Sequence, residues 1–216
     1  MSNNESFIDE VTEEVRRDKL FAMFRRYGWI GVVLVAGIVG GAVWTEWQKA
    51  QTKARAEGFG DAVTAALTKE TPQDRIAALK AVPNSGPQAD LLQLMLASDP
   101  AKDRATALAA LDAVANDSTA DAIYRDLAVL RRTILVASDA PVADRRTALE
   151  GIAAPGRPYR TLALEQLAYL MVEDGKTDGA IEALRALTQD QDASQGLRAR
   201  AAQVILALGG KPTVQG

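Results

Sequence analysis

The sequence contains no cysteine and no histidine among its 216 residues. Without cysteine, the chain can form neither disulfide bonds nor a thiolate nucleophile. Without histidine, it lacks the base of a Ser-His-Asp triad and the usual nitrogen ligand of zinc. The remaining carboxylate, lysine and hydroxyl side chains form no recognisable catalytic constellation. We therefore expect no enzymatic activity, no cofactor, no metal and no small-molecule substrate.

Aromatic residues are also scarce, at 5% of the chain, and the formal net charge is only −3. Abundant alanine with few aromatics favours helices packed through small side chains over a β-sheet. The small net charge gives no reason to expect nucleic acid as a partner. These features together predict an all-α fold.

One stretch lacks charge altogether, residues 27–45 (YGWIGVVLVAGIVGGAVWT). As a helix it would be roughly 28 Å long, close to the hydrocarbon thickness of a bilayer. Basic residues precede the stretch, and aromatic rings that prefer the lipid headgroup region lie at its ends: Arg25, Arg26, Tyr27, Trp29, Trp44 and Trp47. We interpret residues 27–47 as a transmembrane helix that these six residues anchor in membrane lipid. The alternatives are a buried core helix, which the terminal aromatics disfavour, and a cleaved signal peptide, which the long charged leader disfavours.

Basic residues on the two sides of this stretch predict its orientation. Five lie within the 20 residues before Tyr27 and three within the 20 residues after Thr45. Since basic flanks remain in the cytoplasm, we place residues 1–26 there and residues 48–216 on the far side. Within the stretch, Gly37 and Gly41 have the spacing that lets a second helix approach, so both are candidate helix-packing positions.

Residues 1–26 alternate apolar and charged side chains at helical spacing, with acids early and bases late. The pattern predicts an amphipathic juxtamembrane segment whose charges complement the helix dipole. Two forms fit this pattern. One is a separate short helix on the inner leaflet or on a cytoplasmic partner, and the other is a continuation of the transmembrane helix. We favour the separate helix.

Beyond the apolar stretch, hydrophobic residues recur at intervals of three and four, and proline-containing turns separate the segments. The expected turns lie at residues 83–87, 98–100, 138–141 and 154–158, and Gly209-Gly210 ends the last helix. An Asp-Arg pair opens three segments, and we expect its aspartate to cap the helix: Asp74, Asp103 and Asp144. One segment has a narrow apolar stripe that predicts contact with a single neighbouring helix: Ile123, Leu127, Leu130 and Ile134.

A short pattern repeats after 35 residues, since Tyr124-Arg-Asp-Leu-Ala128 recurs as Tyr159-Arg-Thr-Leu-Ala163. A period of this length predicts stacked αα-hairpins, each covering the apolar face of the next. Four repeated positions are candidates for contact with a partner: Tyr124, Arg125, Tyr159 and Arg160. The alternative is that the tyrosines pack within the hairpins and the arginines form salt bridges between repeats or face solvent.

Residues 163–187 resemble a tetratricopeptide repeat. The matching positions are a large–small pair, a bulky residue, a helix-ending glycine and an alanine at the helix crossing: Leu167-Ala168, Met171, Gly175 and Ala180. The unit departs from the repeat where alanine replaces the usual glycine, methionine replaces the tyrosine, and no proline closes it. The resemblance implies a degenerate tetratricopeptide-like solenoid of αα-hairpins over residues 48–216.

The layout of the whole chain resembles the YfgM-like ancillary subunits of the bacterial SecYEG translocon. The resemblance rests on the charged N-terminal segment, the single span, residues 54–67 (ARAEGFGDAVTAAL) and the Tyr-Arg-x-Leu-Ala units. It implies a single-pass inner-membrane protein with a periplasmic tetratricopeptide-like domain. It also implies two partners, the SecYEG translocon and a membrane-anchored, isomerase-like periplasmic chaperone. On this basis we expect a chaperone-like adapter in protein secretion. The alternative is an accessory subunit or assembly factor of another inner-membrane complex, such as a respiratory one.

Overall fold

The computed structural model describes residues 3–211, with the side chains of residues 3–24, 27, 28 and 32 outside the description. Residues 3–211 contain nine α-helices and no β-strand, as the composition predicts. A short 3-10 turn, Ala137–Asp139, follows the fifth helix. The helices are α1 Asn3–Leu67, α2 Pro72–Lys80, α3 Pro87–Leu96, α4 Arg104–Ala115, α5 Ala122–Val136, α6 Val142–Ile152, α7 Arg160–Glu173, α8 Thr177–Gln189 and α9 Gln195–Ala207.

The chain divides into two compact units, Met1–Gly60 and Asp61–Gly216. Within the first unit, α1 passes without interruption from the charged N-terminal segment into the apolar stretch. The separate juxtamembrane helix that we favour from the sequence is therefore wrong, and the continuous helix is correct. The physical reason is that nothing there stops a helix: Pro72 is the first proline of the chain, and an interior glycine costs only about 1 kcal/mol.

The apolar part of α1 lies within Trp29–Leu67, which by length and composition is able to cross a membrane. Its most apolar window has a mean hydropathy of 1.7, and none of that window is buried within the protein. Among the described residues, this is the one helix with those properties.

Helices α2–α9 of the second unit form a stack in which each helix packs against the next. Helices two apart also touch, α3 with α5 and α5 with α7. This combination means that α3, α5 and α7 form one row, with α4 and α6 packed between successive members. The stacked hairpins predicted from the 35-residue period are therefore present, with α5–α6 and α7–α8 as consecutive units.

Two apolar clusters hold the later hairpins together. The first joins α5, α6 and α7 through Leu130, Leu149, Ile152, Ala163 and Leu170. The second joins α7, α8 and α9 through Ala168, Ile181, Leu184, Leu187, Ala193, Leu197, Ala201 and Ile205. Alanines at the helix crossings have no exposed surface, so adjacent helices approach closely there, as the alanine-rich composition predicts.

The helix starts correct part of the capping prediction. Asp103 is the N-cap of α4 and accepts a hydrogen bond from the Thr106 amide at 2.9 Å, as expected. Asp74 and Asp144 are not caps, because α2 and α6 begin two residues earlier, at Pro72 and Val142. A proline at or just before the first helical residue starts the helix upstream, since its fixed φ suits that position.

Candidate functional site

The α7–α8 hairpin has the local geometry of the repeat that its sequence resembles. Gly175 ends α7 with a φ of +73°, a conformation that favours glycine. The Lys176 amide donates back to the Met171 carbonyl at 2.8 Å, which closes the helix end. Ala168 and Ala180 have no exposed surface, so their small side chains allow the two helices to cross closely.

The four repeated positions make contacts within the stack. Arg125, at the start of α5, donates to the carbonyls of Ser118 and Ala120 at 3.4 Å each. Tyr159 packs half-buried against the cluster around Leu130, and Tyr124 is also half-buried. Arg160 forms ion pairs with Asp190 at 2.6 Å and with Asp192 at 3.0 Å, which ties α7 to the loop after α8. Contact of these four residues with a partner stays a prediction.

The residues predicted to anchor the span are exposed wherever their side chains are described. Trp29, Trp44 and Trp47 each expose more than half of their surface. The rings of Trp44 and Trp47 lie 5.4 Å apart between centroids. Arg25 and Arg26 are exposed as well, whereas the side chain of Tyr27 lies outside the described residues.

Gly37 and Gly41 have open space beside them. A Cβ added at either position would meet no atom within 4 Å, apart from the helix's own backbone and neighbouring residues. Their role in packing against another helix stays a prediction, as does the anchoring role of the aromatic and basic residues.

A set of ion pairs between different helices was missed in the sequence. In each pair, an arginine reaches a carboxylate from another part of the stack: Arg132–Asp112, Arg104–Asp139, Arg157–Asp126, Arg145–Glu173, Arg146–Asp174 and Arg200–Glu165. Because the partners are separated by 20 to 35 residues without a constant period, no local pattern marks them.

The Arg200–Glu165 pair is the best satisfied of this set. Two guanidinium nitrogens of Arg200 donate to the two oxygens of Glu165, at 2.6 and 2.7 Å. The hydroxyl of Tyr169 donates to the same carboxylate at 2.9 Å, and burial raises the pKa of this tyrosine. Glu165 is only 2% exposed, so this network holds α7 and α9 together rather than serving a substrate.

A mainly apolar groove of about 290 Å³ opens between the end of α3, the middle of α4 and the end of α5. Its lining residues are Ala97, Pro100, Leu111, Arg131, Ile134 and Leu135. Arg131 is the one charged lining residue, and its guanidinium donates to the carbonyls of Leu94 and Ala97 at the end of α3. At the groove wall, Arg131 therefore joins the terminus of α3 to α5.

The side of α5 that continues from this groove is apolar and solvent-accessible. We call Ile123, Leu127 and Ile134 the α5 apolar face, because they lie within about 40° of one another on an α-helix. Ile123 is 49% exposed, Ile134 is 51% exposed, and Leu127 is half-buried. The predicted stripe therefore does not pack wholly on one neighbour. Only Leu130, in its middle, is buried against α6 and α7.

Three aspartates lie near the start of α5, at the opposite end of that helix from the groove. Asp90 belongs to the first turn of α3, Asp117 follows α4, and Asp121 is the N-cap of α5. Asp90 is only 8% exposed, and burial together with the charges of Asp117 and Asp121 raises its pKa. We call these three residues the acidic patch. Within residues 3–211, no group of acidic side chains is arranged to hold a metal ion.

Comparison with known protein families identifies a matching family. Residues 25–154, more than half of the chain, match the family of the tetratricopeptide repeat-like domain. The matched residues end before α7, so the α7–α8 hairpin lies outside them. Neither the curated proteins nor the solved structures yield a match to this chain. The helical stack and the family match agree: the chain belongs to the family of the tetratricopeptide repeat-like domain.

Proposed function

We propose that this protein is a membrane-anchored, non-enzymatic adapter that binds other proteins through its helical stack. Membership of the tetratricopeptide repeat-like family suggests protein partners in general. The observation that carries the proposal is the α5 apolar face, on which Ile123 and Ile134 are each about half exposed, with Ile134 also lining an open groove. Burial of such a side chain by a partner lowers the free energy, because its apolar surface leaves water.

The anchoring half of the proposal rests on the apolar stretch of α1. The proposed arrangement has residues 1–26 in the cytoplasm, residues 27–47 across the inner membrane and residues 48–216 in the periplasm. Length, composition and exposure of the stretch support a span. The excess of basic residues before it supports the orientation.

The absence of enzymatic activity is part of the proposal. The chain has neither histidine nor cysteine. Most of the charged side chains that approach one another are arginine–carboxylate pairs, and these join helices instead of leaving a free acid and base together. The test is therefore for binding, not turnover.

The SecYEG translocon and a membrane-anchored, isomerase-like periplasmic chaperone are the proposed partners. Support for these names is the resemblance of the sequence layout, above all the segment just past the apolar stretch, residues 54–67. In this role the stack would receive or pass on secretory proteins as they leave the channel.

Affinity purification of the full-length protein from crosslinked membranes, in mild detergent, tests the proposal. We expect SecY and a periplasmic chaperone to be enriched over a control carrying only the α1 segment up to Gly60. Fixed-stoichiometry recovery of another inner-membrane complex, with no Sec component, would instead favour the accessory-subunit alternative. Recovery of no protein partner at all would contradict the adapter function.

A further inference from the structure

The acidic patch differs from the other charged groups of the stack because its most buried member is unpaired. Asp90 is 8% exposed. Within the part of the chain that the structure describes, neither a hydrogen bond nor an ion pair reaches its carboxyl group. Most of the other mainly buried ionic side chains of the stack, such as Glu165 and Arg145, have a partner of opposite charge. Asp90 lacks such a partner although most of the residue is covered, and its carboxylate oxygens are not among the fully buried atoms, so a cation that arrives from outside can reach them.

The neighbours of Asp90 add to the negative potential. Asp121 is the N-cap of α5, yet its side chain makes no capping hydrogen bond. Asp117 accepts two hydrogen bonds from Thr119, both through one oxygen at 2.7 Å. These hydrogen bonds from Thr119 are the main reason that the pKa of Asp117 is lowered, and the nearby cation Arg125 adds to the effect although its guanidinium donates to two backbone carbonyls. Asp117 is therefore the member of the patch with a cation nearby, and neither a hydrogen bond nor an ion pair from that cation reaches Asp90 or Asp121 among the described residues.

Exposed apolar residues follow two of these aspartates closely in the sequence. Leu91 directly follows Asp90 and is 39% exposed. Ile123 comes two residues after Asp121 and is 49% exposed. Since α3 packs against α5 and the charge of Asp121 acts on Asp90, the N-terminal ends of both helices contribute an acid and an exposed aliphatic group to the same region of the stack. An exposed leucine and isoleucine beside unpaired carboxylates suit a ligand that is both apolar and cationic.

We propose that Asp90 and Asp121, with Leu91 and Ile123, bind a segment of a partner protein in which a lysine or arginine adjoins an aliphatic residue. The basic group neutralises the carboxylates while the aliphatic residue covers Leu91 and Ile123. The proposal rests on the protein-binding function proposed above and specifies the chemistry of the partner. In this arrangement, the rest of the bound segment lies along the α5 apolar face, between the acidic patch and the groove.

Fluorescence anisotropy with designed peptides tests this inference on the full-length protein in nanodiscs of zwitterionic lipid. The probe is a short fluorescein-labelled peptide in which each leucine is followed by a lysine. Two matched peptides replace every lysine by glutamate or every leucine by serine, and empty nanodiscs measure binding to lipid. We expect the leucine–lysine peptide to bind more tightly than either matched peptide, and its affinity to fall with added salt.

The variant Asp90→Asn with Asp121→Asn should weaken binding of the leucine–lysine peptide about tenfold, because two charge-assisted contacts are lost. The matched control is Asp144→Asn, which removes an exposed aspartate from the first turn of α6 and should leave the affinity unchanged. Equal affinity for the double variant and the wild type would overturn the inference. The inference would also be overturned if the wild type bound none of the peptides but still co-purified with a protein partner. That result would not contradict the adapter function.

Discussion

Asp126 is the most deeply buried carboxylate of the stack, with no exposed surface. Arg157, in the loop before α7, donates one hydrogen bond to it. The second oxygen of Asp126 and the Nε of Arg157 have no hydrogen-bond partner among the described residues. One ion pair therefore supplies the counter-charge of the buried Asp126 side chain, and the same pair holds the loop before α7 against α5.

Replacement of Arg157 by alanine should lower the free energy of unfolding by about 3 kcal/mol, because it leaves a buried carboxylate without a counter-charge. Urea unfolding of the full-length protein in non-ionic detergent, followed by circular dichroism, measures the change. Adding Asp126→Asn to Arg157→Ala should restore part of the loss, since the buried group is then neutral.

The matched control for Arg157 is Arg132→Ala. Arg132 pairs with Asp112, and both side chains are about 40% exposed. Exposed pairs contribute about 1 kcal/mol or less. If the two alanine variants lose equal stability, burial of Asp126 is not the source of the effect.

Asp90 gives a prediction with a defined pH dependence. Its pKa in the folded protein lies above the usual value of 3.8, first because of burial and then because of Asp117 and Asp121. The folded state thus holds this proton more tightly than the unfolded state. The resulting stabilisation is complete below the unfolded pKa and is lost as the pH rises through the folded pKa.

The variant Asp90→Asn should therefore be more stable than the wild type at neutral pH, by about 1 kcal/mol, since it removes an unpaired, mostly buried charge. Urea midpoints measured at several pH values test the sign. The advantage of the variant should shrink as the pH falls toward 4. An advantage that grows in acid, or a variant less stable at neutral pH, would show that Asp90 has a stabilising partner.

At the scale of single elements, the end of α9 shows why the chain turns where it does. Gly209 has a φ of +82°, and the Gly210 amide donates to the Ile205 carbonyl at 2.9 Å. This is the Schellman arrangement, which the two consecutive glycines predict. A second constraint was not visible in the sequence. A Cβ on Gly210 would lie 2.9 Å from Cγ2 of Ile205 and 3.1 Å from Cγ2 of Ile181.

Substitution of Gly210 by alanine should destabilise the protein by roughly 1–2 kcal/mol, because the added methyl overpacks two β-branched side chains. Gly196→Ala, in the first turn of α9, is the control, since a Cβ there meets nothing within 4 Å. Thermal unfolding of both variants gives the comparison. We expect no loss for Gly196→Ala. If Gly210→Ala also shows no loss, Ile181 and Ile205 move apart at little cost.

Helix order, turns and the hairpin period were predictable because each depends on residues close in sequence. Hydrophobic residues at intervals of three and four predict the helices, and proline-containing turns separate them. The contacts that join the stack were not predictable, since Asp126 and Arg157 lie 31 residues apart with no local signal. The exposure of Ile123 and Ile134 was missed for the same reason. Whether an apolar stripe is covered depends on where the neighbouring helices end.

At the scale of the whole molecule, the two units have different apolar surfaces. The first presents an unburied apolar helix long enough to cross a membrane. The second buries most of its apolar side chains in helix–helix clusters and leaves the α5 apolar face and the adjoining groove uncovered. Lipid is the proposed environment of the first surface, and a partner protein is the proposed ligand of the second.

Site-specific photo-crosslinking in intact membranes tests this account most directly. A photoreactive amino acid replaces Ile134, which lines the groove, in the full-length protein, and a second variant carries it at Gln203, exposed on α9. We expect position 134 to crosslink to a discrete protein, and position 203 to give no such product. Equal products from both positions, or none from position 134 in a correctly inserted protein, would contradict partner binding by the α5 surface.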